Sequence, residues 1–212
     1  MNANSQSRKV LTVPLTSERL ILDLGLLDNI LIVNSQDQNL NISVENGGMI
    51  PTLKTKESEG VFYFSSVFQE DVTERSDEAK QCSIEPVYPT YKISIPVGKT
   101  TLVSYKSGNF LADGFDGILQ LELEDGMVRI INTKNSAHVK IQRGNAYIEG
   151  ITDSNIDVRT RMGELHSNIG VEALAESGKE SEYSGKSLSL RDEGFEKEVV
   201  VEAVMANIYL NL

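Results

Sequence analysis

One cysteine, two histidines, five prolines and no tryptophan among 212 residues narrow the chemistry before any pattern is sought. The lone thiol, Cys82, cannot close an intramolecular disulfide, so the fold is held without one. That does not assign a compartment, because exported bacterial proteins also manage without disulfides. Cys82 lies in the charged stretch "SDEAKQCSIEP" (76–86) and reads as a loop thiol rather than a nucleophile. Positive charge is also scarce: 20 Lys and Arg face 31 Asp and Glu, a formal charge of −11 that repels phosphate backbones and anionic bilayers. Nucleic acid is therefore not expected as a partner. No apolar run reaches 18 residues, which excludes an integral membrane helix. The opening "MNANSQSRK" is polar, and the apolar segments behind it are broken by Glu18, Arg19, Asp23 and Asp28, unlike a signal-peptide core. The chain is thus either cytoplasmic or a form from which an export signal is absent. Its 40% hydrophobic content is ample for a core.

What is present is repetition. Gly108, Gly126, Gly144 and Gly163 follow one another at spacings of 18, 18 and 19 residues, and their flanks align. Five and three residues before them stand Val103 and Tyr105, Leu121 and Leu123, Val139 and Ile141, Val158 and Thr160. Two and four residues after them stand Phe110 and Ala112, Val128 and Ile130, Ala146 and Ile148, Leu165 and Ser167. This period of two on both flanks predicts two short strands per unit, with the glycines as repeat turns. Between units, "DGFDG" (113–117), "NTKNS" (132–136) and "TDSN" (152–155) carry turn chemistry. A unit this small cannot bury its own apolar face, whereas copies stacked at roughly 4.8 Å share a continuous core. The expected fold is all-β, a single-domain parallel β-solenoid of about 18-residue repeats; an antiparallel meander is the structural rival. In-register stacking would place Glu122 beside Lys140 and Lys106 beside Glu124.

The rest of the chain is less regular. Residues 10–68 hold alternating runs at Leu20, Leu22 and Leu24, at Ile30 and Ile32, and at Leu40, Ile42 and Val44, then "GVFYFSSVF" (60–68). A charged loop at 69–90 precedes the regular repeats of 91–170. A second loop at 171–186 precedes the closing strands of 187–212, read as "SLSL", "EVVVEAV" and "NIYLNL". No linker divides the chain, so one domain over 1–212 is expected.

Catalytic and metal patterns are weak. His138 and His166 fall at outward positions on different strands and read as solvated side chains rather than ligands. "GKT" (98–100) and "GKS" (185–187) end like phosphate-binding loops, but Ile93 and Glu180 stand where the first glycine is required. Asp113, Asp116 and Asp125 are the carboxylates a polysaccharide-cleaving β-helix would use, and Asp113, Asp116 and Asp153 are the candidates for calcium. Aspartate at a corner is ordinarily a turn former, and the nonapeptide calcium signature is absent. Tyr147 is the one outward aromatic suited to a glycan, with packing under a loop as its plain alternative. "NIS" (41–43) is a formal glycosylation sequon on an expected strand. No cofactor and no metal is expected.

The order "ISIP" (93–96), "VSYKSGNFLA" (103–112), glycine-centred repeats and terminal "ANIYL" (206–210) resembles the adhesin-like β-solenoid proteins of Bacteroidetes, which include auto-transporter adhesin heads and adhesin-like domains of unknown function. The early "LILDLGLLDNILIVNSQDQNLNISVENGG" (20–48) resembles the opening strands of that family. The resemblance implies a non-enzymatic protein exported to the periplasm or cell surface. It would present a binding surface to a surface, glycan or protein ligand, and it has no catalytic residues to carry over. The alternative is a cytoplasmic self-assembling scaffold of bactofilin type, since stacked ends expose strand edges; a polysaccharide-active enzyme is a third possibility.

Overall fold

A computed structural model describes residues 8–45, 52–67, 88–168 and 185–212. Within them the chain is all-β, with no helix: thirteen strands form one sheet. They are β1 (Arg8–Pro14), β2 (Arg19–Asn34), β3 (Asn39–Glu45), β4 (Thr52–Ser58), β5 (Val61–Val67), β6 (Thr90–Ile95), β7 (Thr100–Asp113), β8 (Ile118–Ile131), β9 (Ala137–Glu149), β10 (Ser154–Thr160), β11 (Leu165–Ser167), β12 (Lys186–Leu190) and β13 (Lys197–Asn211).

The 18-residue spacing appears as parallel pairing. Gly108 of β7 faces Gly126 of β8, which faces Gly144 of β9. The unit differs from expectation in one respect. It is a single long strand bent at its glycine, not two short strands with a turn between, because Gly108, Gly126 and Gly144 lie inside β7, β8 and β9 at φ of 132°, 145° and 121°. L side chains rarely take that conformation, and here they also lack room. A Cβ on Gly126 would stand 1.9 Å from the carbonyl oxygen of Gly108, and one on Gly144 1.8 Å from that of Gly126. Each bend presses its backbone against the preceding one, so the residue must be glycine for contact as well as for φ.

On either side of the bend the apolar alternation points into one shared core. Leu22, Val103, Leu121, Val139, Val201 and Val158 follow one another across the sheet in register, all essentially inaccessible. At roughly 25 cal/mol per Å² of apolar area, each fully buried aliphatic side chain contributes about 1.5–3 kcal/mol. Corners repeat too. Gly114, Asn132 and Gly150 all have positive φ, and the amide of each donates to the carbonyl of Ile131, Glu149 and Asn211 respectively.

Two further corrections concern order and direction. A wholly parallel stack is replaced by a mixed sheet: β1 and β6 flank β3 antiparallel, β4 runs antiparallel to β5, and β12 runs antiparallel to β10. The pairing also departs from chain order. β2 lies between β7 on one side and β5 with β6 on the other, and β13 lies between β9 on one side and β10 with β11 on the other. Gly163 consequently meets Ala206 rather than Gly144, and Ala206 faces Gly144. The apolar runs at Leu20–Leu24 and Ile30–Ile32 form the one strand β2, as "EVVVEAV" and "NIYLNL" form the one strand β13. Loops 69–90 and 171–186 lie outside the described residues except at their last residues, as does Cys82.

Candidate functional site

Parallel in-register pairing turns each outward position into a column running across the sheet. Three columns carry the notable chemistry.

Directly after the bend, Asn29, Asn109, Met127, Asn145 and Asn207 occupy equivalent positions. The Asn109 amide donates to Asn29 Oδ1 at 3.1 Å, and the Asn207 amide to Asn145 Oδ1 at 3.2 Å. Asn29 donates onward to Thr90 Oγ1, and Asn207 Oδ1 accepts the Glu164 amide N–H. This asparagine ladder, interrupted at Met127, was missed in the sequence, where its signal is the residue that follows each bend.

Two positions further along stand Arg129, Tyr147, Tyr209 and His166. The rings of Tyr147 and Tyr209 are stacked with centroids 4.7 Å apart and planes within 9°, and His166 stacks on Tyr209 at 4.8 Å and 8°. Those separations are the interstrand spacing, so neighbouring strands place the rings face to face. Tyr147 thus packs beside a tyrosine. Tyr209 is thereby stacked by both Tyr147 and His166, whereas Tyr147 stacks against one ring, at the end of the column beside Arg129. Arg129 beside Tyr147 makes a bidentate pair with Glu149 at 2.9 and 3.0 Å, which raises the Arg129 pKa. Glu164, paired with Lys186, is held below its ordinary pKa.

Before the bend lies a groove of about 520 Å³ crossing β2, β7, β8, β9 and β13. Asp23, Ser104, Glu122, Lys140 and Glu202 are consecutive neighbours along one wall. Lys106 and Glu124 stand on the other. Glu122 and Lys140 are register partners 3.9 Å apart. A second groove, of about 760 Å³, is lined by Arg159, Arg161, Lys186 and Asp157 from β10, β12 and the bend after β10.

The remaining candidates are dispersed. Asp125 is a strand residue paired with Arg143 at 3.2 Å rather than a corner residue. Asp113 is level with Ile131, six residues along β8 from Asp125, up to about 20 Å of strand away. Asp116 accepts from the Asn135 amide at 2.9 Å and is a corner former, and Asp153 is an exposed corner residue at φ 53°. Among the described residues no three His, Cys, Asp or Glu side chains gather as metal ligands. His138 is exposed, level with Gln120 and Val200. Lys99 of "GKT" is largely buried against Glu18 at 3.1 Å, and "GKS" opens β12. Asn41 of the sequon lies in β3, accepting from the Thr12 hydroxyl.

No protein-family model matches this chain, and no curated protein matches it in sequence. Two solved structures align with this chain. A candidate cell adhesion protein from Clostridium sporogenes superposes with a TM-score of 0.63 at 13% identity, over 98% of this chain and 99% of that one. A candidate adhesin from Bacteroides fragilis aligns over 99% and 98% with 7% identity and a TM-score of 0.28. At 13% identity, the first match shows a shared fold from end to end.

Proposed function

We propose that the chain is a single β-solenoid domain, 1–212, of adhesin-like type, acting without catalysis at the cell envelope or surface. It would hold a surface, glycan or protein ligand against its outward columns. The carrying observation is the in-register stacking of outward side chains across β2, β7, β8, β9 and β13. Such stacking builds a broad face of repeated polar positions. The fold shared with the Clostridium sporogenes protein supports the same reading by analogy of fold. Gly108, Gly126, Gly144 and Gly163 serve in it as structural positions, not as ligand contacts.

Fractionating source cells and determining the mature N-terminus by mass spectrometry tests this. The expected result is protein in the periplasm or on the surface; residence in the cytoplasm alone would overturn the reading.

A further inference from the structure

The asparagine ladder has two halves, and the direction of their amides defines what lies between them. A side-chain amide in such a ladder turns its oxygen to one neighbouring strand and its nitrogen to the other. In the first half, Asn109 gives its Nδ2 to Asn29 Oδ1 on β2 at 3.1 Å, so Asn109 Oδ1 is turned the other way, to β8. In the second half, Asn145 Oδ1 accepts from Asn207 on β13 at 3.2 Å, which turns Asn145 Nδ2 back to β8. Both side chains are half-buried, and among the described residues neither Asn109 Oδ1 nor Asn145 Nδ2 has a hydrogen-bond partner. An acceptor and a donor thus face each other across one strand, from backbones two interstrand steps or about 9.6 Å apart. The rung between them belongs to Met127, which is 36% exposed and has no amide to offer either neighbour.

We infer that this rung takes the acetamido group of an N-acetylated amino sugar. The ligand N–H donates to Asn109 Oδ1, the ligand carbonyl oxygen accepts from Asn145 Nδ2, and the acetyl methyl lies on Met127, whose flexible thioether swings aside to seat it. Amide then follows amide from β2 to β13. The site selects an amide because it asks for a donor and an acceptor pointing in opposite directions at one level. A hydroxyl meets both neighbours through a single atom and spans at most about 6 Å, short of a full amide rung. The sugar is favoured over a peptide side-chain amide by Tyr147, two residues along β9 from Asn145 and so about 6.6 Å away. One face of Tyr147 is stacked on Tyr209 of β13, and the other is turned to β8, the side on which the acetamido group is held. The pyranose that carries this group reaches the ring and lays its C–H face against it, which a glutamine side chain cannot do. Arg129, level with Tyr147 on β8, is engaged by Glu149 and takes no part. This inference rests on the binding role proposed above and names its ligand class.

Titrating the full chain with the β-linked trisaccharide of N-acetylglucosamine, followed by proton–nitrogen NMR, tests the inference, with the glucose trisaccharide and the tripeptide Ala-Gln-Ala as controls. The side-chain amide signal of Asn145 should shift, and the acetylated sugar should bind at least about tenfold more tightly than the glucose trisaccharide, which carries hydroxyls in place of the acetamido groups. Asn145→Asp keeps the acceptor for Asn207 and removes the donor for the ligand, so it should weaken binding about tenfold with the thermal midpoint near wild type. Met127→Asn supplies the rung with the protein's own amide, and it should abolish binding while raising the midpoint. Equal affinity for the two sugars, undiminished binding by either variant, or no shift at about 10 mM acetylated sugar, where millimolar affinity would register, would overturn the inference. Tighter binding of the tripeptide than of the sugar would overturn it as well, by giving the rung to a peptide. Failure of the sugar removes this ligand class and leaves the envelope reading standing, whereas a cytoplasmic location removes that reading and does not alter the titration.

Discussion

At the scale of single residues, the bends and the buried hydroxyls make opposite predictions. Gly144→Ala forces an L residue to φ 121° and drives its Cβ to 1.8 Å from the Gly126 carbonyl oxygen, in a place where backbone meets backbone and nothing can yield cheaply. A loss of about 3 kcal/mol or more is expected by urea denaturation. Gly98→Ala also sits at positive φ, 77°, but meets nothing within 4 Å, so only the conformational cost of about 1 kcal/mol applies. Equal losses for the two would refute the contact argument. The hydroxyls of Tyr91 and Tyr105 and of Ser66 and Thr101 are buried without a hydrogen-bond partner. Burial raises the pKa of both tyrosines. Ser66 lies close enough to Tyr91 to offset part of that rise, although no bond of acceptable geometry joins them. A tyrosine whose folded pKa exceeds its unfolded value near 10 holds its proton more tightly when folded. Its stabilising effect is therefore complete below pH 10 and is lost as pH rises from 10 towards the folded pKa. Tyr105→Phe should be neutral or slightly stabilising at pH 7 and should flatten the fall in stability above pH 10; a marked destabilisation at pH 7 would mean that the hydroxyl has a partner after all.

Among the elements, β13 decides the most. It is the last strand of the chain, where fraying is the ordinary expectation, yet it is bonded to β9 on one side and to β10 and β11 on the other. Hydrogen exchange should place the amides of Val199–Leu210 among the slowest of the described residues, with β12, paired among the described strands to β10 alone, far faster. Comparable rates in the two would show that the closing strand is peripheral. This insertion also marks what the sequence could tell. The spacing of Gly108, Gly126 and Gly144 gave the true register of β7, β8 and β9, because equal loops between equal strands leave one parallel alignment that buries Leu121, Val139 and their equivalents together. The pair Glu122 and Lys140 followed from it. Extending the register to Gly163 failed because any strand with the right alternation can fill a parallel slot, and nothing local records whether the next in space is the next in sequence. β13 carries Ala206 where the others carry glycine, so the motif that announced the repeat is absent from the strand that interrupts it. The stacked rings of Tyr147, Tyr209 and His166 were hidden for the same reason: Tyr209 reaches its neighbours only through the insertion.

For the whole molecule, the question is what stops a sheet built of parallel repeats from growing. Each half of the sheet ends in antiparallel strands. β4 covers β5, and β3 with β1 covers β6; at the other end β12 covers β10. These outer strands are poor templates. β4 reads Thr-Leu-Lys-Thr-Lys-Glu-Ser and is exposed along most of its length, β1 ends in Pro14, and β12 opens with Lys186. Charged or proline-bearing edges are how natural sheets refuse edge-to-edge pairing, and mutual repulsion between copies of net charge −11 acts in the same direction. β11, which pairs with β13 alone among the described strands, is three residues long and too short to anchor a second copy by itself. A bactofilin-type filament would require the opposite of all this. Sedimentation velocity should therefore give one species whose coefficient stays constant over a roughly hundredfold range of concentration. Replacing the edge lysines, Lys54→Val with Lys56→Val, should produce concentration-dependent association. Growth of the wild-type protein with concentration would mean that the antiparallel strands do not act as caps, and the scaffold reading would then take precedence over a monomeric binding face.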